Sequence, residues 1–327
     1  MKQRPDLVAL VIALSGIVAV AIFIAGDLVV ARERELQTGE RRVQYFSTMI
    51  AEHTTRTFEA VDILLREVAG DLSDNRRDWE SWPQARGWEY LARRHSRSLP
   101  QLRDLIVFDR EGNQIYISTY FPTPRINVRD RPYFVALAEG KPAASFGPYI
   151  GRNSGRYTYG LARRINDASG RFAGVVFAAI EPTYFQTFCW ANRLSDDFES
   201  VVINAKGQVV TSCRPTDIGK LSPVVGAPAV EVLFAGALRG WIPEEGVARE
   251  RGFIAATTPI TDFPDLRALT LIPQESLLGP WRTQFLQMTL VALLATVALL
   301  AGALLVRRQV TQMRDMAEEL AASHDQD

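Results

Sequence analysis

An arginine and two tyrosines occur close together in the sequence, in a pattern that could hold a small polar ligand. Arg131 and Tyr133 stand on either side of Pro132, and Tyr149 follows a Gly-Pro pair. A guanidinium can donate two parallel hydrogen bonds to one partner, and phenol hydroxyl groups can add further hydrogen bonds. If the fold brings these three side chains together, they form a pocket that could grip such a ligand.

Local signals place Arg131 and Tyr133 at the start of a short helix. We predict that Asp130 caps this helix and that Pro132 lies in its first turn, where its missing amide hydrogen is tolerated. The free N–H groups of a helix start favour anions. The alternative is that Arg131 forms an ion pair with Asp130 or Asp109, and that the tyrosines are only core residues.

Two uncharged stretches bracket the rest of the 327-residue chain. Residues 7–26 and residues 285–306 carry no charge, and each stretch can cross a hydrocarbon core of about 30 Å. We interpret the first stretch as an uncleaved anchor, because no small-x-small cleavage site precedes the charged residues after it. Basic residues precede the first stretch (Lys2 and Arg4) and follow the second (Arg307, Arg308 and Arg314).

Basic residues accumulate on the cytoplasmic side of a membrane span. We therefore expect a two-pass protein of the bacterial inner (plasma) membrane with both termini in the cytoplasm. Residues 31–280 are then periplasmic or extracellular. Cys189 and Cys213 fall in this oxidising compartment, where a disulfide and two unpaired buried thiols both remain open.

The composition and motifs argue against several classes of protein. The 37 basic and 37 acidic residues balance, so we expect no nucleic-acid partner. The sequence contains no phosphate-binding glycine loop and no Gly-x-Ser-x-Gly motif. Its three histidines, His53, His95 and His324, are scattered, with no cysteine or carboxylate at metal-ligand spacing. We therefore predict no enzyme activity, no cofactor and no metal site.

The segment between the two spans is predicted to be one long helix followed by two similar modules. Residues 32–72 carry apolar side chains at helical or heptad intervals, so this helix can also pack on a second subunit. Strand–turn–strand patterns occur at residues 105–118 and again at residues 200–211. This repetition predicts an α+β fold with two tandem PAS-like modules, each an antiparallel sheet with flanking helices. In the second module we predict a short helix near Ala229 to Leu238.

These signals divide the chain into seven predicted segments. They are a cytoplasmic N-terminus (1–6), a first transmembrane helix (7–30), a long stalk helix (31–73), a membrane-distal PAS-like module (74–188), a membrane-proximal PAS-like module (189–280), a second transmembrane helix (281–306) and a cytoplasmic signalling helix (307–327).

The order of these features resembles a known family. The stalk helix, the two PAS-like modules, the run from Asp130 to Phe134 and the triplet ending at Tyr149 are similar to a double-Cache (dCache, or PDC) sensor domain. The strand around Leu161, which leads to an Asp-x-x-Gly turn, adds to the resemblance. It covers about Arg32 to Pro280. Such domains occur in bacterial diguanylate cyclases, sensor histidine kinases and chemoreceptors.

In that family the membrane-distal module usually holds the ligand. The resemblance implies three contacts here, and we add two further tyrosines as candidates: Arg131, Tyr133, Tyr149, Tyr116 and Tyr159. Members that bind amino acids carry an aspartate in the closing strand, and this position falls at Ala179 in the present chain. The missing carboxylate predicts against an amino acid or amine and favours a carboxylate or another anion.

The resemblance implies a transmembrane receptor that binds a small molecule outside the cell and signals inward. The sequence up to Asp327 contains no signature of a cyclase or kinase output domain. Unless the chain is truncated, we expect a separate cytoplasmic partner, such as a kinase or a cyclase, to contact residues 307–320. We also expect a homodimer through residues 32–72 and contact with the lipid bilayer. The alternative is a non-catalytic membrane scaffold or assembly protein that uses the Cache modules for protein contacts.

Overall fold

The computed structural model describes residues 5–74, 78–96, 99–192, 198–204, 208–213, 246–250 and 252–324. The chain divides into two units. The helical unit consists of Met1–Gly39 and Gln274–Asp327, and the sheet unit is Glu40–Pro273.

The sheet unit contains the end of the long first helix and two sheet modules. The elements up to the end of the first module are α1 (Pro5–Ser73), a 3-10 turn (Trp79–Ser81), α2 (Gln84–Ser96), β1 (Leu102–Asp109), β2 (Gln114–Ile117), α3 (Pro132–Ala138), β3 (Ala143–Ile150), β4 (Tyr157–Asn166), β5 (Phe172–Ile180) and α4 (Pro182–Ala191). The five strands pair antiparallel in the order β2-β1-β5-β4-β3.

The predicted long helix is confirmed, since α1 is continuous to Ser73. Within the sheet unit, one of its faces is buried: Val43, Phe46, Ile50, Phe58, Val61, Leu65 and Val68. These residues recur at helical spacing, so burying this face removes apolar surface from water. Asp62 also fixes α1 to β4, because its carboxylate accepts two hydrogen bonds of 2.6 and 2.8 Å from Arg163.

The two faces of the first sheet pack against different helices. Tyr116 pairs with Val107 across β2 and β1, and its ring lies against Gly87 of α2. The next residue along β1, Ile106, pairs with Phe177 and points to the opposite face, in one core cluster with residues of α3. Alternation along the strand therefore separates an α2 face from an α3 face.

The second module repeats the strand plan of the first. Its described strands are β6 (Glu199–Asn204), β7 (Val209–Ser212), β8 (Gly246–Glu250), β9 (Phe253–Pro259) and β10 (Leu266–Pro273). They form an antiparallel sheet in the order β7-β6-β10-β9-β8, which matches the first sheet strand for strand. The predicted tandem modules are thus confirmed. The helix predicted near Ala229 to Leu238 lies outside the described residues.

Covalent and polar links join the two modules. Cys189 at the end of α4 forms a disulfide with Cys213, which follows β7, and their Cα atoms are 5.1 Å apart. Of the two possibilities that the sequence left open, the disulfide is therefore observed and the two unpaired thiols are not. The hydroxyl of Tyr157 in β4 also donates a hydrogen bond to the carbonyl of Val209 in β7.

The helical unit contains the first part of α1, the short helix α5 (Gln274–Leu277) and α6 (Gly279–His324). Among the described residues, Val11–Ser73 and Gly279–Met313 each contain a stretch long and apolar enough to cross a membrane. Phe23 and Leu294 in these stretches are exposed, as expected for side chains that face lipid. The indole of Trp281 donates a hydrogen bond of 2.8 Å to the carbonyl of Leu28.

Candidate ligand-binding site

A cavity of about 40 Å³ lies on the α3 face of the first sheet. Its apolar wall includes Ile106, Phe108, Phe177 and Ala179. The polar residues that line it are Arg103, Asp104, Gln114, Arg131, Tyr133, Tyr149, Arg152, Asn153, Ser154 and Thr158. The space suits roughly three water molecules, or a ligand of only a few heavy atoms.

Arg131 reaches this cavity from the start of α3, although the predicted cap is wrong. The N-cap position belongs to Arg131 itself, with φ −78° and ψ 134°, and Pro132 begins the helix. The carboxylate of Asp130 instead accepts hydrogen bonds of 2.9 and 2.7 Å from Arg152. Arg152 is a stronger partner for the Asp130 carboxylate than the helix N–H groups, because a bidentate guanidinium supplies a positive charge as well as two donors.

The alternative pairing of Arg131 with a neighbouring carboxylate is not observed. Asp109 accepts hydrogen bonds from the backbone of Glu111 and Asn113 in the hairpin turn, and Asp130 is held by Arg152. Within the described part of the chain, no carboxylate lies at ion-pair distance from the Arg131 guanidinium. The guanidinium lies over the ring of Tyr149, 4.9 Å from its centroid.

Tyr133 and Tyr149 bring two hydroxyl groups to the cavity. Tyr133 is 3% exposed, and its ring packs on Phe177 with 5.0 Å between the centroids. Neither hydroxyl has a hydrogen-bond partner among the described residues. Burial raises the pKa of both phenols well above their ordinary value, so both remain protonated donors.

A bulge in β3 aims Tyr149 at the cavity. The register with β4 shifts between Phe146 and Tyr149, and Gly147 at this point has a φ of 138°. A Cβ atom at Gly147 would lie 2.8 Å from the carbonyl oxygen of Thr158. Only glycine therefore fits, and the extra residue turns the following side chain.

The charges around the cavity are unequal. Three arginines and one aspartate line it. Arg103 lies 3.1 Å from Asp104, and Arg152 lies 2.7 Å from Asp130 at the rim. Arg131 is the remaining cation, so the cavity carries one uncompensated positive charge among its described residues.

The connection between β3 and β4 closes one side of the cavity. The amides of Asn153 and Gln114 exchange two hydrogen bonds, of 2.7 and 3.3 Å, and Arg152 is held by Asp130. Arg152, Asn153 and Gln114 line the cavity but are not among the residues predicted from the sequence. Their partners lie 22 to 39 residues away, so no local pattern marks them.

Two predicted tyrosines do not reach this cavity. The Tyr116 hydroxyl donates to the carbonyl oxygens of Trp79 and Trp82, at 2.7 and 2.9 Å, on the α2 side of the sheet. Tyr159 stacks on Phe58 of α1 with 5.4 Å between the ring centroids and lines a separate cleft. Both were predicted as site residues only because they are tyrosines. The alternation of side chains along β2 and β4 directs them away from the cavity.

The carboxylate of Asp104 lines the cavity, although it lies in β1 and not at the aspartate position of β5 that Ala179 occupies. Ala179 in β5 lines the cavity, and its cross-strand partner in β1 is Asp104. Asp104 is not among the residues predicted from the sequence, because the register between β1 and β5 cannot be read from local spacing.

Comparison with protein families finds one match that covers most of the chain. The model of the Cache domain, in its dCache_1 form, matches residues 30–281. No curated protein matches the chain.

Several solved structures share the fold. The extracellular domain of rpHK1S-Z16, described as a histidine kinase, has 26% identity and a TM-score of 0.60, covering 75% of this chain and 99% of its own. The ligand-binding domain of the Pseudomonas aeruginosa PAO1 amino acid chemoreceptor PctC, in complex with GABA, has 13% identity and a TM-score of 0.54, covering 71% and 99%. That of the Pseudomonas fluorescens chemoreceptor CtaA, in complex with L-serine, has 15% identity and a TM-score of 0.54, covering 72% and 97%.

Proposed function

The chain belongs to the double-Cache family of sensor domains, and we propose that it is a membrane receptor that binds a small carboxylate beside Arg131. Domains of this family are extracellular, ligand-binding and non-catalytic modules of kinases and chemoreceptors. Two candidate transmembrane helices flank the domain in the present chain.

One observation supports a carboxylate ligand: among the described residues, the Arg131 guanidinium has no carboxylate partner and the two tyrosine hydroxyl groups beside it have no hydrogen-bond partner. All three groups can donate hydrogen bonds, and the guanidinium adds a positive charge. A carboxylate accepts several such bonds and supplies the missing negative charge. The structures of PctC and CtaA contain GABA and L-serine, which also carry a carboxylate.

The signal is proposed to pass through the two long helices. A ligand shifts a conformational equilibrium only if it contacts groups that differ between the two states. The start of α3 and the β3–β4 connection meet at the cavity, so closure around a ligand moves them together. We propose that α1 and α6 carry this change to a cytoplasmic partner at residues 307–320, and that residues 32–72 form a homodimer.

A thermal-unfolding screen of the full-length protein in detergent tests the ligand class. The panel contains small carboxylates, the matching amides, amines and nucleobases. A carboxylate at 100 times its Kd should stabilise the folded state by about 2.7 kcal/mol. At about 2–4 °C for each kcal/mol, this raises Tm by several degrees.

Arg131→Gln should abolish the stabilisation, because it removes the only unmatched charge among the described lining residues. Arg129→Gln is the matched control, since Arg129 is exposed and does not line the cavity. Stabilisation by amines alone, or by no compound with all variants folded, contradicts the proposal. The second result favours a scaffold that acts through protein contacts.

A further inference from the structure

The cavity wall contains a second charged group besides Arg131, the carboxylate of Asp104, which is 5% exposed. We call these two groups the Arg131 pole and the Asp104 pole. One carboxylate oxygen accepts a hydrogen bond of 2.6 Å from the hydroxyl of Thr119. The other accepts a hydrogen bond of 3.1 Å from Nε of Arg103. Asp104 is thus held in place by its neighbours and still forms part of the cavity wall.

Asp104 retains capacity to accept further hydrogen bonds. An ionised carboxylate offers about four lone-pair sites. The described residues use two of them, through Thr119 and Arg103. Because the side chain lines the cavity, a donor group on a ligand can use another.

The charge of Asp104 is already balanced. Arg103 forms an ion pair with it, and the other guanidinium nitrogens of Arg103 donate to the Tyr157 carbonyl and the Thr158 hydroxyl at 3.2 and 2.6 Å. A ligand ammonium entering here would add a positive charge without finding an unmatched negative one, at a high desolvation cost. A neutral hydroxyl donates one hydrogen bond and adds no charge.

One small ligand can touch both poles. The Tyr149 ring lies under Arg131, and Arg103, Asp104 and Tyr149 all line the same cavity of about 40 Å³. The Arg131 pole and the Asp104 pole therefore both belong to the wall of this small cavity, so a ligand that fills it meets both.

We propose that the ligand is a short hydroxy acid, whose carboxylate binds Arg131 and Tyr149 and whose neighbouring hydroxyl donates a hydrogen bond to Asp104. Asp104 is then the residue that determines specificity for the hydroxyl. This inference rests on the proposed carboxylate receptor, and it adds the second group that the ligand must carry.

Calorimetric titration of the full-length protein in detergent at pH 7 tests it with three probes. Glycolate, acetate and glycine differ only in one substituent on the carbon next to the carboxylate: a hydroxyl, a hydrogen or an ammonium. A second series of lactate, propionate and alanine covers a ligand that is one carbon longer. In at least one series, the hydroxy acid should bind roughly tenfold or more tightly than the plain acid, the usual effect of a hydrogen bond to a charged group. The amino acid should bind most weakly.

Two variants locate the effect. Asp104→Asn should reduce the preference for the hydroxy acid to about threefold or less. The plain acid should bind at least as tightly as to the wild type, because Arg131 is intact and Arg103 is no longer neutralised by Asp104. Thr119→Val leaves the carboxylate in place and should keep the preference. Thermal unfolding without ligand establishes that each variant is folded.

The outcomes separate this inference from the function on which it rests. Equal binding of the hydroxy and plain acids overturns the role of Asp104 and leaves the carboxylate receptor standing. Tightest binding of the amino acid, or a full hydroxyl preference in Asp104→Asn, also overturns it. The wild-type series alone decides the matter if Asp104→Asn does not fold. Binding of no carboxylate at all contradicts both proposals.

Discussion

At the scale of single residues, the candidate site contains hydrogen-bond donors that have no acceptor among the described residues. The hydroxyl of the almost completely buried Tyr133 has no partner there, and no described carboxylate lies at ion-pair distance from Arg131. Most buried polar groups are satisfied inside a protein, because leaving one unpaired costs about 1–3 kcal/mol. A group kept unpaired inside a cavity is therefore available for a ligand.

Tyr133→Phe should weaken carboxylate binding and leave the unliganded protein at least as stable as the wild type. The hydroxyl makes no hydrogen bond to the described residues, so its loss removes none from the unliganded protein. With the carboxylate bound, its loss removes a charge-assisted bond worth about 1.5–3 kcal/mol. Titration calorimetry and thermal unfolding measure the two effects.

Tyr116→Phe is the matched control, because its hydroxyl donates to the carbonyls of Trp79 and Trp82 away from the cavity. It should lower the stability by about 1 kcal/mol without changing the affinity. A result with the two effects exchanged would contradict the assignment of the tyrosines to opposite faces of the sheet.

His53 predicts a pH dependence of stability. Its ring stacks on Phe188 with 3.6 Å between the centroids, and burial lowers the pKa of the imidazole below 6.5. As pH falls through about 6.5, the unfolded chain takes up a proton that the folded protein resists. The free energy of unfolding should therefore decrease between pH 7 and pH 5.5.

His53→Phe should remove most of this decrease, because the substitution keeps an aromatic ring and lacks a titrating group. Denaturant unfolding at both pH values provides the comparison. An equal loss of stability in the variant would show that another group is responsible.

At the scale of elements, the bulge in β3 positions the Tyr149 side chain at the cavity. Gly147→Ala places a Cβ atom 2.8 Å from the Thr158 carbonyl oxygen and forces a φ of 138° on a residue that resists it. We expect a loss of about 1–3 kcal/mol in stability and weaker carboxylate binding, since Tyr149 moves. Gly170→Ala, at a turn with open space around it, should cost stability without changing the affinity. Unchanged affinity in Gly147→Ala would contradict the role of the bulge.

The elements were largely predictable from the sequence, because hairpins and amphipathic helices leave local patterns. The turn at Asp109 and the apolar stripe of α1 are examples. The pairing of Asp104 with Ala179, and of Arg152 with Asp130, depends on strand register and loop position. No local pattern in a single sequence encodes these pairings, so Asp104 and Arg152 could not be assigned to the cavity. Arg131, Tyr133 and Tyr149 could be grouped, because they belong to recognisable local motifs. The binding role of the grouped residues stays a prediction.

At the scale of the whole molecule, the two modules share a strand order and are joined by the Cys189–Cys213 disulfide. Replacing both cysteines with alanine should lower the stability by about 3 kcal/mol, since a loop of 24 residues is no longer closed in the unfolded state. Carboxylate affinity should persist, because neither cysteine lines the cavity. Thermal unfolding and calorimetry measure the two effects. A variant with unchanged Tm would contradict a stabilising role for the disulfide.

We propose that Arg131 recognises a negative charge on the ligand, and one calorimetric experiment tests this directly. The carboxylate with the largest thermal shift and its uncharged amide are each titrated into the wild type and into Arg131→Gln. We predict that the wild type prefers the carboxylate by tenfold or more, about 1.4 kcal/mol, and that Arg131→Gln loses this preference. An undiminished preference in Arg131→Gln would show that Arg131 does not recognise the charge.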